Sequence, residues 1–89
     1  MKSYRLKITG RVQGVFFRKF TKEKALQLGL AGTVRNCEDG SVEVLVTGEE
    51  EVLQEFFRWC RKGPPVALVE KADIHEIPLK NFQSFRVIH

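Results

Sequence analysis

Arg18 closes the stretch GRVQGVFFR, residues 10–18, with two glycines and a glutamine ahead of it. A short loop feeding a helix N-terminus leaves several backbone N–H groups unpaired. With the positive end of the helix dipole they make an anion site. Gly10 and Gly14 allow conformations closed to other residues, so successive N–H groups can converge as a nest. An arginine in the first helical turn opposes the dipole unless an anion lies between them. Its planar fork suits two oxygens of a phosphate. The chemistry this spacing suits is capture of a phosphate or similar oxyanion. The alternative is an arginine reaching into solvent beside a turn that merely needs glycine. No Lys-Ser or Lys-Thr pair follows, so the nucleotide P-loop pattern is absent.

The elements that must position Arg18 are legible from periodicity. Ser3 to Thr9 alternates, with Tyr4, Leu6 and Ile8 on one side and Arg5, Lys7 and Thr9 on the other, a strand with one wet face. Phe17, Thr21, Ala25 and Leu28 recur at helical spacing, with Gly29 placed for a C-cap. Ala31–Glu38 and Ser41–Thr47 flank Asp39-Gly40, a type I′ or related hairpin turn. Glu49, Glu50 and Glu51 open a second helix, and Arg58, Arg61 and Lys62 close it, as the dipole favours. Its expected apolar stripe is Val52, Phe56, Trp59 and Cys60, stopped by Gly63-Pro64-Pro65. Val66–Ile77 reads as a further strand and Phe85–Ile88 as a short last one. The order predicts an α+β, ferredoxin-like βαββαβ sandwich: an antiparallel sheet, two helices on one face and a short extra C-terminal strand.

The 89 residues, 43% hydrophobic and 29% charged, suit one domain spanning 1–89. Such a domain buries roughly 60–65% of its unfolded surface, enough for one modest core and one surface site. No apolar run approaches the roughly 18 residues of a membrane span, and MKSYRLKITG reads as strand rather than signal peptide. A cytoplasmic protein without membrane partner is expected. Cys37 and Cys60 are too few for a disulfide scaffold and lack zinc-site spacing, so reduced thiols are expected, with a single bridge as the alternative. The net charge of +4 favours anionic partners without choosing between small phosphates and nucleic acid.

The segments GRVQGVFFRKF, LGLAGTVRNCEDGSVEVLVTG and GPPVALVEKADI, in this order across essentially the whole chain, resemble the acylphosphatase family. The resemblance implies a ferredoxin-like fold that hydrolyses the carboxyl–phosphate bond of acyl phosphates, with no metal and no cofactor. It puts the phosphate-binding arginine on Arg18 and the water-orienting asparagine on Asn36. The phosphate cradle falls on the backbone of Val12, Gln13, Gly14, Val15, Phe16 and Phe17. Thr33 stands where the family usually shows tryptophan, a change expected to alter packing rather than the polar groups.

The chemistry is sound on these residues. Phosphoryl transfer needs mainly positioning and charge stabilisation, which loop N–H groups and Arg18 supply. A carboxylate leaving group has a pKa of about 4 and needs no general acid. That suits a chain whose histidines, His75 and His89, are expected to lie far from the loop. Asn36, held on a strand, would aim a water in line with the scissile bond while the phosphoryl oxygens take its proton. Its alternative is a turn-associated asparagine bonding nearby backbone.

Thr21 is read as loop or Asn36 support, or as packing. Phe16, Phe17 and Phe20 are read as core and loop anchors. Gln13 either bonds across the loop or faces water. Glu38, Asp39 and Glu43 form no acid/base pair, and Arg5, Arg35 and His75 are surface residues.

Against an RNA-recognition domain of the same βαββαβ order, the strand SVEVLVT carries no aromatic to stack on a base. Against a carbamoyl-phosphate-handling module like the N-terminal part of a larger maturation enzyme, the chain's end at His89 favours a stand-alone hydrolase. A small-molecule acyl phosphate as substrate, inorganic phosphate as product and competing ligand, no nucleic acid and a monomeric state are expected, the exposed edge strands being the weak point for the last.

Overall fold

A computed structural model describes residues 1–89. The alternating segments form strands and the 3.6-periodic ones helices: β1 (Lys2–Arg11), α1 (Phe17–Gln27), β2 (Ala31–Asn36), β3 (Val42–Gly48), α2 (Glu50–Lys62), β4 (Leu68–Ile77) and β5 (Phe85–Ile88). The sheet order is β4-β1-β3-β2-β5. β1 and β3, which the two crossovers leave at the centre, pair antiparallel from Lys2 opposite Gly48 to Ile8 opposite Val42. The first four strands are antiparallel to their neighbours, whereas β5 adds parallel to β2 with Gly32 opposite Phe85, so the sheet is mixed. The segment from Pro78 to Ser84 carries the chain from one sheet edge to the other. It is pinned midway, where Ser3 and Thr47, both buried, share a 2.6 Å hydroxyl contact. Thr47 Oγ1 donates to the Lys80 carbonyl (2.8 Å) and the Lys80 N–H donates to Ser3 Oγ (2.9 Å).

The period-2 pattern decides which face is dry. Leu6, Ile8, Val34, Val42, Val44 and Val46 are fully buried and meet Phe17 and Ala25 of α1 and Leu53, Phe56 and Phe57 of α2. α1 covers β2 and β5, and α2 covers β1, β3 and β4. The buried stripe of α2 is Leu53, Phe56, Phe57 and Cys60, a correction to the expected Val52, Phe56, Trp59 and Cys60. The apolar arc of α2 is wider than one row, and the helix turns Leu53 and Phe57 inward. Trp59 is left on the flank, its ring 5.9 Å from that of Phe17.

Two of the boundaries that move do so for a visible reason. β2 ends at Asn36 rather than Glu38 because Cys37 closes a three-residue hairpin loop. The Cys37 N–H donates to the Ser41 carbonyl at 2.8 Å, the Gly40 N–H donates to the Cys37 carbonyl at 3.1 Å, and Gly40 takes φ +91°. β4 starts at Leu68 rather than Val66 because a turn, Ala67 N–H to the Pro64 carbonyl at 3.0 Å, uses up the residues after the prolines.

Candidate active site

The loop from Val12 to Phe16 is held at both ends by burial: Val12 and Phe17 are each 1% exposed. Just before it, β1 slips register against β4 between Thr9 and Gly10. There a Cβ on Gly10 would collide with the Leu68 carbonyl, so the close approach requires glycine. Gly14 and Phe16 both take left-handed backbone, φ +76° and +61°. No N–H from Val12 to Phe16 donates a backbone hydrogen bond within the protein. α1 then begins with neither a side-chain cap nor an acidic residue in its first turn, so its positive pole is uncompensated.

Arg18, half-buried on that first turn, lines a cavity of about 490 Å³ together with Val12, Gly14, Phe16, Phe17 and Asn36. Asn36 is the last residue of β2, opposite Val42 of β3. Its Oδ1 is buried and has no hydrogen-bond partner in the protein, a costly state for a carboxamide without a ligand. The structure therefore brings Arg18, Asn36 and four of the six cradle positions around one space. Gln13 and Val15 do not line it. Val15 packs against the core, and Gln13 Nε2 donates to the carbonyls of Cys37 and Ser41, each at 2.8 Å.

Several expectations need correction. His89 is not remote: it lines the cavity, and its Nδ1 lies 3.4 Å from Arg18 Nη1, which also donates to the Ile88 carbonyl at 3.3 Å. The parallel addition of β5 beside β2 brings His89 to the site, and local sequence gives no sign of that pairing. Phe16 is not a core anchor; the residue is 71% exposed and lines the cavity. Thr21 follows its packing alternative: it is fully buried and donates to the Phe17 carbonyl one turn back (2.8 Å). Lys19 and Lys22, which also line the cavity, were missed; the spacing of Lys22 four residues beyond Arg18 was the available signal.

The remaining charged groups lie elsewhere. Glu43 takes Arg5 Nε and Arg35 Nε on its two oxygens, 2.9 Å each. Burial alone would raise its pKa, but the hydrogen bonds and charges of Arg35 and Arg5 outweigh it and bring the net value down. Lys7 Nζ lies 2.8 Å from Asp39, holding that carboxyl far below the usual range with help from Ser41. His75 sits across the sheet beside Arg5, Lys7 and Asp73. Cys37 and Cys60 are free thiols, and burial pushes the Cys60 thiol well up. No group of three or more His, Cys, Asp or Glu is placed to hold a metal ion, and no helix is long and apolar enough to cross a membrane.

Fold and cavity together define a small ferredoxin-like sandwich with a loop of unpaired backbone N–H groups at its first strand–helix junction. The acylphosphatase family model matches residues 4–87. An acylphosphatase of Rubrobacter xylanophilus is 49% identical over 77 residues, covering 86% of this chain and 70% of that protein. The crystal structure of acylphosphatase from Bacillus subtilis superposes with a TM-score of 0.96 at 38% identity, covering 100% of both chains. Full-length HypF in its phosphate- and nucleotide-bound form matches with a TM-score of 0.88 at 25% identity, over 99% of this chain but only 12% of that one. The chain belongs to the acylphosphatase family of hydrolases.

Proposed function

We propose that residues 1–89 act as one domain that hydrolyses small-molecule acyl phosphates to carboxylate and inorganic phosphate by direct attack of water. The supporting observation is that Arg18, Asn36 and the loop residues Val12, Gly14 and Phe16, whose N–H groups have no backbone partner, line one cavity. In this reading the Arg18 fork and the N–H groups of Val12, Gln13, Gly14, Val15, Phe16 and Phe17 hold the phosphoryl oxygens. They stabilise the charge that spreads over those oxygens in the transition state. The Asn36 carboxamide orients the attacking water and sets it in line with the scissile bond. The water oxygen bonds to phosphorus as the P–O bond to the acyl group breaks. The electron pair leaves with the carboxylate, and the water proton passes to a phosphoryl oxygen. The carboxylate is too weak a base to need a general acid. The working form is a cytoplasmic monomer that needs neither metal nor nucleic acid.

The test is benzoyl phosphate hydrolysis in excess chelator by the wild-type chain, Arg18→Ala and Asn36→Ala. Turnover in the wild type that falls at least about a hundredfold in each folded variant supports the reading. Loss in Arg18→Ala alone would give Asn36 another role. A wild type that binds phosphate without turnover would make the domain a binding module.

A further inference from the structure

The cavity holds more positive charge than one phosphate uses. Its lining includes Arg18, Lys19 and Lys22 and no acidic side chain. Lys22 is half-buried and forms no ion pair, whereas Lys24, two residues on, lies 4.0 Å from Glu55. Like charges at positions i and i+4 repel, so Arg18 and Lys22 side by side oppose helix stability unless anions lie against both. Helical side chains lean toward the N-terminus, which carries Lys22 back over the turn of Arg18 and into the cavity. About 6 Å of helix separates the two Cα levels. A volume of about 490 Å³ is in the range that takes a whole small molecule. The exposed ring of Phe16 gives it one apolar wall.

We propose that Lys22 recognises a carboxylate on the acyl portion of the substrate, remote from the phosphate. The favoured substrates are monoacyl phosphates of dicarboxylic acids. The inference rests on the acylphosphatase reading and deepens it. The forked Arg18 and the loop suit phosphate oxygens, while the compact ammonium of Lys22 suits a single carboxylate at the other end. Lys19, exposed at the rim, adds only diffuse attraction.

The experiment compares 4-carboxybenzoyl phosphate with its neutral isostere 4-carbamoylbenzoyl phosphate, and with benzoyl phosphate as reference. Proteins are the wild type, Lys22→Gln, Lys22→Arg and Lys24→Gln. Glutamine and arginine are helix formers comparable to lysine, so the fold is kept. The wild type is expected to favour the carboxylate over the carboxamide by about threefold to fivefold, mostly in KM, and less so at high salt. Lys22→Gln brings that ratio to near one, Lys22→Arg keeps most of it, and Lys24→Gln, outside the cavity, leaves it intact. No preference in the wild type, or the same ratio in Lys22→Gln, overturns the proposal. Failure of the wild type on benzoyl phosphate itself would instead overturn the acylphosphatase reading beneath it.

Discussion

Gln13 Nε2 donates to the Cys37 carbonyl at 2.8 Å, tying the middle of the loop to the residue that follows Asn36. The same nitrogen reaches the Ser41 carbonyl at 2.8 Å, so one side chain fastens the loop to both sides of the β2–β3 turn. Arg18 and Asn36 come from different elements, and this tie holds their elements in register.

Gln13→Ala should therefore cost activity more than stability. Both carbonyls keep backbone partners, Cys37 with Gly40 and Ser41 with Cys37, so unfolding free energy should fall by only about 1 kcal/mol. Small misplacements of reacting groups are expensive, and kcat on benzoyl phosphate should fall about tenfold or more. Denaturant titration beside steady-state kinetics separates the two. Unchanged kcat would make the tie purely structural.

Phe16 and Gly14 share left-handed backbone but should respond oppositely to substitution. Phe16→Gly removes about 1–2 kcal/mol of steric cost, adds about 0.5–1 kcal/mol of unfolded-state entropy and gives up little burial. Stability should hold or rise by up to about 1 kcal/mol. Gly14→Ala places a Cβ where nothing lies within 4 Å, so only backbone strain acts, and about 1 kcal/mol should be lost. Urea unfolding of both variants reads the contrast. A clear loss in Phe16→Gly would mean that its ring, not its backbone, holds the loop.

Asn36 stands at the end of a strand with a buried, unpaired oxygen, a position better filled structurally by an apolar β-branched residue. Asn36→Val should raise the unfolding free energy by about 1 kcal/mol while abolishing turnover, because strand propensity improves and an orphaned acceptor disappears. A thermal melt and a benzoyl phosphate assay are enough. A lower Tm would show that the carboxamide has a stabilising partner.

Much of this was legible in the sequence because the signals are local. Alternation in β1 and β3, helical spacing from Phe17 to Leu28, and Asp39-Gly40 between two valine-rich runs each depend on residues a few positions apart. What failed was non-local. His89 reaches Arg18 only because β5 adds parallel to β2, an edge pairing that no local pattern specifies. Phe16 reads as core by residue type, and its exposure follows from a left-handed φ that sequence assigns to glycine. The expected α2 stripe is rotated from the observed one, with Leu53 and Phe57 facing the core in place of Val52 and Trp59, because an apolar arc this wide does not by itself fix which row faces inward. Local sequence does not decide whether Gln13 bonds across the loop or faces water, because its partners lie 24 and 28 residues away.

Acid stability should trace to Glu43, which sits between Arg35 and Arg5. Its folded pKa lies below the ordinary 4.5, so the unfolded chain takes up this proton at higher pH than the folded one. The stability it contributes is thus fully present above about pH 4.5 and is lost as pH falls through the lower folded value. Both arginines are half-exposed, which limits the contribution to about 1–2 kcal/mol at neutral pH. Glu43→Gln should be less stable than wild type by that amount at pH 7. The gap should narrow as pH falls below about 4.5 through the lower folded value, where the wild-type side chain becomes neutral as well. Asp39, lowered chiefly by Lys7, keeps its own acid sensitivity in both proteins, so the variant should retain part of the slope. Urea titrations from pH 7 to pH 3 measure the gap directly. A difference that stayed constant or widened on acidification would mean that Glu43 acts through packing, not charge.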